Sequence, residues 1–374
     1  MKKSNSLNTT AFFALLSAGL WEKDVNFSEF GENNYEILFR LAEEQAVMGL
    51  VTAGLEHVKD VKVPKEIVLQ FVGQTLQIEE QNKAMNIFIG VLVDNMRKVG
   101  IYTLMVKGQG VAQCYERPLW RSSGDVDFYL SDDNFRKAKS FFKPLVSSFD
   151  PDNDYSSHIN MSYDPWVVEI HANQHCGLAS RIDRVMDEIH SDIFFGGNIR
   201  SCNLAETQVF LPSVNNDVLI VFTHFLNHFY RGGLGVRQIC DWSRLLWTFK
   251  EKIDLRLLES RLRKMGLMSE WKAFGCFAIE YLGMPVEAMP FCEVSNKWEK
   301  KAKEISDFIL EVGNFGHNRD TSYYANHNVV TRKAISFGRR CKDLMHHASI
   351  FPLDSFRFLI GITCKGLRSF ANGE

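Results

Sequence analysis

The sequence predicts an α+β fold, in which a small mixed sheet of four or five strands lies between two helical parts. Three observations lead to this prediction. Residues 8–100 carry apolar side chains mainly at three- and four-residue spacings, which is typical of helices. Residues 101–172 instead contain short runs of alternating polar and apolar residues, which is typical of strands. Helical spacing then returns, so we expect a helical N-terminal segment (1–100), a sheet-containing core (101–212) and a helical C-terminal domain (213–374).

The N-terminal segment opens with a stretch that has two interpretations. Lys2-Lys3 followed by AFFALLSAGL resembles the charged and apolar regions of a secretory signal. However, 4–10 is a polar spacer, and no convincing cleavage site follows at WEKD. We therefore favour a first amphipathic helix, followed by a helix that begins near Tyr35 and by one or two long helices within 65–99.

The core begins with a short β-like run, YTLMV, which is followed by a short predicted helix at 111–115. Residues 125–130 alternate polar and apolar side chains, as on a strand. Asp132 is a plausible N-cap of the next helix, because Phe135 and Phe142 then lie on one helical face. The expected order is therefore strand, helix, strand, helix.

A second pair of alternating segments predicts an antiparallel hairpin. Alternation runs over 159–163, Asp164-Pro165 suits a turn, and alternation resumes over 166–172. The remaining predicted elements are a helix near 181–194, a strand at 207–211, and helices at 213–230, 236–250, 255–265, 268–283, 295–312 and 329–348.

Composition and charge argue against several classes of protein. With a formal net charge of −2 and a pI near 6.6, the chain lacks the positive charge of a general nucleic-acid-binding protein. Its eight cysteines are scattered without C-x-x-C pairs or zinc-site spacing, so we expect reduced thiols in a cytoplasmic protein. No other apolar run approaches the ~20 residues of a membrane span. Walker A, G-x-G-x-x-G and nucleophile-elbow motifs are also missing.

Two aspartates at the start of the second predicted strand suggest a metal site. In GDVDFYL, Asp125 and Asp127 point to one side of the strand, while Val126 and Phe128 face the other. Carboxylates this close repel each other unless a cation lies between them, and magnesium commonly binds carboxylates and phosphates together. Two aspartates alone are weak evidence for a metal site, because the solvated end of a strand could carry them by chance, so the surrounding residues decide.

Residues before and after this strand favour the metal site. Lys107, Gly108 and Gly110 lie in the turn after the first strand, where a positive charge and small residues suit a phosphate. Glu169 and His171 share one face of the second hairpin strand, so Glu169 supplies a third carboxylate. Three carboxylates from two strands could hold two metal ions, one orienting a triphosphate and the other activating a hydroxyl.

Three stretches of the sequence form a longer pattern: LMVKGQGVAQCYERPLWRSSGDVDFYL, VVEIH and HFLNHFYRGGLGVRQICDW. This pattern resembles the uncharacterised bacterial nucleotidyltransferases of the polymerase-β-like superfamily, over about half of the chain. The matching positions are Lys107, Gly108, Tyr115, Pro118, Arg121, Gly124, Asp125, Val126, Asp127, Glu169, His171, His224, His228, Arg237 and Asp241. The joint pattern is far more specific than any single piece.

The resemblance implies a nucleotidyltransferase core and a reaction that moves an NMP group from an NTP to an acceptor, releasing pyrophosphate. It implies that Asp125, Asp127 and Glu169 are catalytic and hold Mg²⁺ or Mn²⁺, with Glu169 as metal ligand or base. It implies nucleotide-binding roles for Lys107, Gly108, Arg121, Gly124, His171, His224, His228 and Arg237. The chain departs from the superfamily at Gly108-Gln109, where Gly-Ser is usual, and at Glu169, where Asp is commoner.

Other functions and acceptors stay open at this point. The same metal and NTP site could serve a kinase, and a nucleotide-binding or interaction module without turnover is a further alternative. The acceptor could be a sugar, an antibiotic, a small metabolite, a protein or an RNA end. The basic segment 332–342 could be a solvated helix face or a surface for an anionic ligand.

Several predicted site residues also have purely structural interpretations. His224 and His228 share one helical face and could form a helix–helix contact instead of facing the cleft expected between the sheet and the C-terminal helices. Arg237 and Asp241 could pair with each other, or connect the C-terminal helices to the core. Arg121 could bind triphosphate oxygens or lie in a surface loop.

Overall fold

The computed structural model of the chain describes residues 2–31, 34–149, 157–231, 233–293, 295–316, 318–319 and 329–359. Its elements confirm the predicted α+β fold. The helices are α1 (Lys2–Trp21), α2 (Tyr35–Glu44), α3 (Met48–Glu56), α4 (Lys65–Lys98), α5 (Gly108–Ala112), α6 (Asp132–Phe142), α7 (Ser180–Phe194), α8 (Val214–Arg231), α9 (Val236–Thr248), α10 (Leu255–Met265), α11 (Met268–Leu282), α12 (Asn296–Val312) and α13 (Val329–Ile350). The strands are β1 (Leu104–Met105), β2 (Asp125–Tyr129), β3 (Ser148–Phe149), β4 (His158–Tyr163), β5 (Trp166–His171), β6 (Ile199–Leu204) and β7 (Thr207–Pro212).

A mixed sheet lies at the centre of the fold, with the strand order β3-β4-β5-β2-β1-β7-β6. β2 is parallel to β5 and β1 is parallel to β7, whereas the other neighbours are antiparallel. Within the described residues the sheet has seven strands, which exceed the four or five that the sequence predicts, because β3 and β6 are not predicted. β3 has only two residues, and β6 is an edge strand in which Leu204 alone is buried, so neither shows the apolar alternation of a buried strand.

Most other predicted elements are present with small shifts at their ends. The first strand is shorter than expected, since only Leu104 and Met105 pair with neighbours, and the short helix after it begins earlier, at Gly108. The predicted N-cap of α6 is wrong. Ser131 occupies that position without a capping hydrogen bond, and Asp132 lies in the first turn, where a negative charge favours the helix N-terminus.

The two faces of β2 pack against different helices. Val126 and Phe128 belong to a buried apolar cluster with side chains of α4 and α6, including Phe135. The opposite face carries Asp127 and Tyr129, and Tyr129 belongs to a second cluster that includes α7 and α8. The alternation along β2 therefore separates an apolar supporting face from a polar one, as its sequence predicts.

Helix α1 is a buried helix rather than an amphipathic one. Nearly every side chain from 11 to 20 is buried, and the ring of Phe13 contacts Phe277 and Tyr281 of α11 edge-on, with centroids 6.0 and 5.1 Å apart. Apolar residues of α1, α8, α9 and α11 thus belong to one cluster. Because the first and last parts of the chain share this core, the division at residues 100 and 212 stays a prediction.

Other predictions from the sequence can be compared with the structure only at the residues that it describes. None of the described helices combines the length and the apolar composition that crossing a lipid bilayer requires. The cysteines in the described ranges are free thiols, while Cys364 lies outside them. The basic segment 332–342 lies within α13, but most of its side chains are outside the described residues, so its role stays a prediction.

Candidate functional site

Three carboxylates lie together on the polar face of the sheet. β2 and β5 run parallel, and their register places Asp127 directly beside Glu169, with Asp125 two residues earlier on β2. The buried side chains of Val126 and Phe128 anchor the strand from its other face. The third carboxylate therefore lies on the strand next to the two aspartates, as the alternation of the sequence indicates.

Lys107 supplies the positive charge of this cluster. Its Nζ lies 2.7 Å from Asp127 Oδ1 and 3.4 Å from His224 Nδ1. The residue precedes α5 with a φ of 58°, in the left-handed region that is unfavourable for a lysine. Burial lowers the pKa of Lys107, but the charges of Asp127 and Asp125 raise it overall, so the side chain is cationic.

The three carboxyl groups differ in how far their charge is compensated. The negative charge of Asp127, together with burial, raises the pKa of Asp125. Burial also favours the neutral form of Asp127, but Lys107 and His171 lower its pKa overall. For Glu169, the effect of burial is outweighed by hydrogen bonds from two histidines, and its pKa is lowered. Asp125 is therefore the carboxylate at which an added cation would relieve most repulsion.

Two histidines complete the polar face of β4 and β5. His171 Nε2 lies 2.9 Å from Asp127 Oδ1 and 3.5 Å from Glu169 Oε2, and His158 Nε2 lies 3.2 Å from the same Glu169 oxygen. The two imidazole rings stack with centroids 4.6 Å apart. His158 is not among the site residues predicted from the sequence. However, a hairpin with a two-residue turn after Tyr163 places His158 opposite His171, as the register shows.

A cavity of about 360 Å³ lies between this face of the sheet and α8. Its wall includes Lys107, Asp125 and Glu169 from the core, and His224 and His228 from α8. This volume is in the range of small-molecule sites. The cleft expected between the sheet and the C-terminal helices is thus confirmed.

A second cavity, of about 40 Å³, shares part of this wall. It is lined by Asp127 and Gly108 of the core, by Arg121 from the loop before β2, and by Arg237 and Asp241 of α9. The predicted site residues other than Gly124, which lines neither cavity, are therefore distributed over two neighbouring cavities rather than one.

His224 and His228 face the larger cavity, which favours the cleft-facing interpretation over a helix–helix contact. Because Lys107 can only donate to His224 Nδ1, the proton of His224 lies on Nε2, which is 3.2 Å from His228 Nε2. Burial and the charge of Lys107 hold the pKa of His224 well below its usual range and lower that of His228 to about 4. Both rings are therefore neutral at pH 7.

Arg121 and Arg237 connect the loop before β2 to α9. Arg121 is only 5% exposed and donates two hydrogen bonds of 2.7 Å to the carboxylate of Asp241. Arg237 Nη1 donates to the Ser122 carbonyl oxygen at 2.5 Å, whereas the ion pair of Asp241 is with Arg121. The connection of the C-terminal helices to the core is confirmed. The nucleotide-binding roles of both arginines stay predictions.

The turn between β1 and α5 leaves space beside the carboxylates. Gly108 has a φ of 40°, and among the described atoms a Cβ there would meet only the Asp125 carbonyl oxygen, at 3.6 Å. A Cβ at Gly110 would instead lie 2.6 Å from Leu211 Cδ2, so this glycine serves the packing of α5 on β7. Gly124 has open space around its Cβ position. Gly108 and Gly124 are thus compatible with a ligand, and Gly110 has a structural role.

Gln109 occupies the position where the superfamily usually has serine. Its Nε2 donates to Asn82 Oδ1 of α4 at 2.7 Å, and the side chain is buried. Because α4 covers the apolar face of the sheet, the amide of Gln109 is directed away from the carboxylates. No side-chain hydroxyl therefore replaces the missing serine at this position.

The donor set fits a divalent cation. Asp125, Asp127 and Glu169 present oxygen atoms, which Mg²⁺ and Mn²⁺ prefer, and an added cation would favour the ionised form of Asp125, whose pKa the charge of Asp127 raises. Among the described residues, His158, Glu169 and His171 also bring ligand atoms within 4.8 Å of one another. That Asp125, Asp127 and Glu169 hold a metal ion stays a prediction.

Comparison with known protein families gives an independent match. The family model described as "Uncharacterised nucleotidyltransferase" matches residues 31–283, which is more than half of the chain. The matched range contains every residue that the sequence predicts for the site. Searches of the curated proteins and of the solved structures gave no significant match.

Proposed function

We propose that this chain, which belongs to the uncharacterised nucleotidyltransferase family, transfers an NMP group from an NTP to an acceptor hydroxyl and releases pyrophosphate. The family indicates nucleotidyl transfer in general and an NTP as substrate. One observation carries the finer proposal: Asp125, Asp127 and Glu169 lie side by side on two parallel strands, next to a cavity of ligand size. Chemistry of this kind depends mainly on positioning and on compensation of negative charge.

Asp125, Asp127 and Glu169 are the residues that we propose to hold Mg²⁺ or Mn²⁺. Such an ion, when bound, supplies positive charge to the triphosphate and to the oxygens that become more negative during transfer. Glu169 is ionised at neutral pH because hydrogen bonds from two histidines lower its pKa. A carboxylate with a low pKa suits a metal ligand better than a general base.

Lys107 and Gly108 are the residues that we propose to contact the phosphates. The ammonium group of Lys107 lies in the walls of both cavities, where it can exchange part of its contact with Asp127 for phosphate oxygens. Gly108 leaves the space beside Asp125 free. His224 accepts a hydrogen bond from Lys107 without adding charge, and thereby helps to orient the ammonium group.

The wall of the larger cavity supports a neutral, hydroxyl-bearing acceptor such as a sugar. Gln174 Nε2 and Asn227 Oδ1 are buried there without a hydrogen-bond partner among the described residues. The first group needs an acceptor and the second needs a donor, and a hydroxyl group can serve as both. Lys107 is the only lysine or arginine among the described wall residues, which argues against a polyanionic acceptor.

Transfer of label from each α-labelled NTP tests the proposal. The protein is incubated with cell extract and Mg²⁺ or Mn²⁺, and wild type is compared with the double variant Asp125→Asn/Asp127→Asn. We expect labelled product and pyrophosphate from wild type and neither from the double variant. Asp133→Asn is the matched control, because it removes an exposed aspartate of α6 that pairs with Arg136.

Two results would contradict the proposal. Label transfer that survives in the double variant would exclude Asp125 and Asp127 as catalytic residues. Release of nucleoside diphosphate, with transfer of a γ-label instead of an α-label, would identify a kinase that uses the same site.

We also propose a cytoplasmic location. The described cysteines are free thiols, and several of them, such as Cys114 and Cys240, are buried. Free thiols persist in a reducing compartment. Cell fractionation with an antibody against the chain tests this proposal.

A further inference from the structure

We propose a second metal site, for a transition-metal ion of the Zn²⁺ type, which is formed by His158, Glu169 and His171 and shares Glu169 with the carboxylate site proposed above. One ligand atom of each residue lies within 4.8 Å of those of the other two, and the described residues contain no second group of this kind. Two of the three ligands are imidazole nitrogens, which distinguishes this set from the all-oxygen set of Asp125, Asp127 and Glu169.

The sheet holds these three side chains in place. Glu169 and His171 are two residues apart on β5, so they lie on the same face of the strand. His158 on β4 is the direct cross-strand partner of His171. The ligands therefore project from two paired strands rather than from loops. The His158 side chain is 42% exposed and lies in the wall of the larger cavity, so an ion can enter from that side.

The distances fit a tetrahedral site. With bonds of about 2.0–2.1 Å to nitrogen and oxygen, neighbouring ligand atoms around Zn²⁺ are about 3.3 Å apart. Glu169 Oε2 lies 3.2 Å from His158 Nε2 and 3.5 Å from His171 Nε2. Two of the three distances between ligand atoms are thus close to those of a tetrahedral site. The third, between the nitrogens of the two stacked imidazole rings, requires these rings to move relative to each other.

The donor atoms select the class of ion. Imidazole nitrogen suits Zn²⁺ and Co²⁺, whereas Mg²⁺ prefers oxygen and keeps several waters. Three protein ligands leave a fourth position for water or for a ligand in the cavity. When His171 Nε2 binds an ion, it no longer donates to Asp127, which retains its contact with Lys107.

Titration of metal-free, untagged protein with Co²⁺ tests the site, because tetrahedral Co²⁺ absorbs visible light. We expect a saturable absorption at one equivalent that Zn²⁺ abolishes, since Zn²⁺ binds such ligands more tightly than Co²⁺ does. His158→Ala should weaken Co²⁺ binding at least about tenfold, since it removes a direct ligand. His175→Ala is the matched control and should bind as wild type does. His175 lies in the same wall but pairs with Asp187 at 2.6 Å.

The outcomes separate this proposal from the proposed function. Absence of saturable binding, or equal affinity of His158→Ala and wild type, overturns it. Loss of binding in His228→Ala but not in His158→Ala places the ion at α8 and overturns it as well. Far-UV circular dichroism identifies a misfolded variant, and His158→Gln then replaces it. The titration contains no nucleotide and no acceptor, so its result is independent of label transfer.

Discussion

The carboxylate of Asp241 on α9 receives two hydrogen bonds of 2.7 Å from the guanidinium of Arg121. The hydroxyl of Tyr115 donates a third hydrogen bond of the same length. Both charged side chains belong to residues that are only 5% exposed. Because Arg121 lies four residues before Asp125, this ion pair fixes the loop from which the carboxylate strand begins.

Loss of the Asp241 charge should therefore destabilise the protein. Asp241→Asn keeps the shape of the side chain but leaves the charge of Arg121 buried without compensation, which typically costs about 3–5 kcal/mol. Urea unfolding followed by far-UV circular dichroism measures the change. Glu259→Gln is the control, because it weakens an exposed pair with Arg263 and should cost about 1 kcal/mol or less. Equal losses in the two variants would contradict the prediction.

Asp125 should reduce the stability of the metal-free protein at neutral pH. The charge of Asp127 and burial raise the pKa of Asp125, so the folded protein binds this proton more tightly than the unfolded chain does. Stability is therefore lost as the pH rises from the unfolded value, about 3.9, through the folded one. Asp125→Asn should unfold at higher urea than wild type at pH 7 in EDTA, and this difference should vanish below about pH 3.

A divalent cation should remove much of this difference. Mg²⁺ or Mn²⁺ that binds the folded protein stabilises wild type by mass action, and the loss of one carboxylate ligand weakens the effect in Asp125→Asn. Thermal melts in EDTA and in Mg²⁺ measure this. A variant that is less stable than wild type in EDTA at pH 7 would show that repulsion between Asp125 and Asp127 is compensated within the protein.

The positions of the carboxylates follow from local sequence, but those of their partners do not. Side chains alternate along a strand, so the sequence predicts that Asp125 and Asp127 share a face and that Glu169 shares one with His171. The contacts of Lys107 with Asp127 and of Arg121 with Asp241 join residues far apart in the chain. They depend on the strand order and on the docking of α9, which no local pattern contains.

His158 and the edge strand β6 show two different limits on what can be predicted from the sequence. Opposite positions of a hairpin are determined by its turn, so His158 could be predicted once the two-residue turn was used to pair the strands. β6 could not, because its inner face carries Arg200 and Cys202, which are only partly buried, and Leu204 alone is buried. Exposed apolar residues of α4, such as Ile87 at 59%, likewise show that helical spacing does not identify which face is covered.

The close crossing of α1 and α3 depends on glycine. A Cβ at Gly54 would lie 2.0 Å from the Leu15 carbonyl oxygen, and backbone at this distance must move. Gly54→Ala should therefore destabilise the protein by about 1–3 kcal/mol or more. Gly73→Ala in α4 is the control, since no heavy atom of the described part of the chain lies within 4 Å of its Cβ position and alanine should stabilise by about 0.5–1 kcal/mol. Thermal melts should thus shift in opposite directions, and parallel shifts would contradict the close approach.

His228 should make the protein sensitive to mild acid. Burial and the charge of Lys107 lower its pKa to about 4 from an ordinary value of 6.5, so the unfolded chain binds this proton more tightly than the folded protein does. The resulting stability is complete above about pH 6.5 and is lost as the pH falls to about 4. The difference corresponds to about 3 kcal/mol.

His228→Gln removes this titration and keeps a polar side chain in the cavity wall. Between pH 7 and pH 4, its free energy of unfolding should fall by up to about 3 kcal/mol less than that of wild type. Urea unfolding at several pH values in this range measures the two curves. Other acid-sensitive groups, such as Glu169, act in both proteins, so the difference between the curves reports His228 together with its effect on the neighbouring His224. Parallel curves would mean that His228 binds its proton equally in the folded and unfolded states, which would contradict its burial against Lys107.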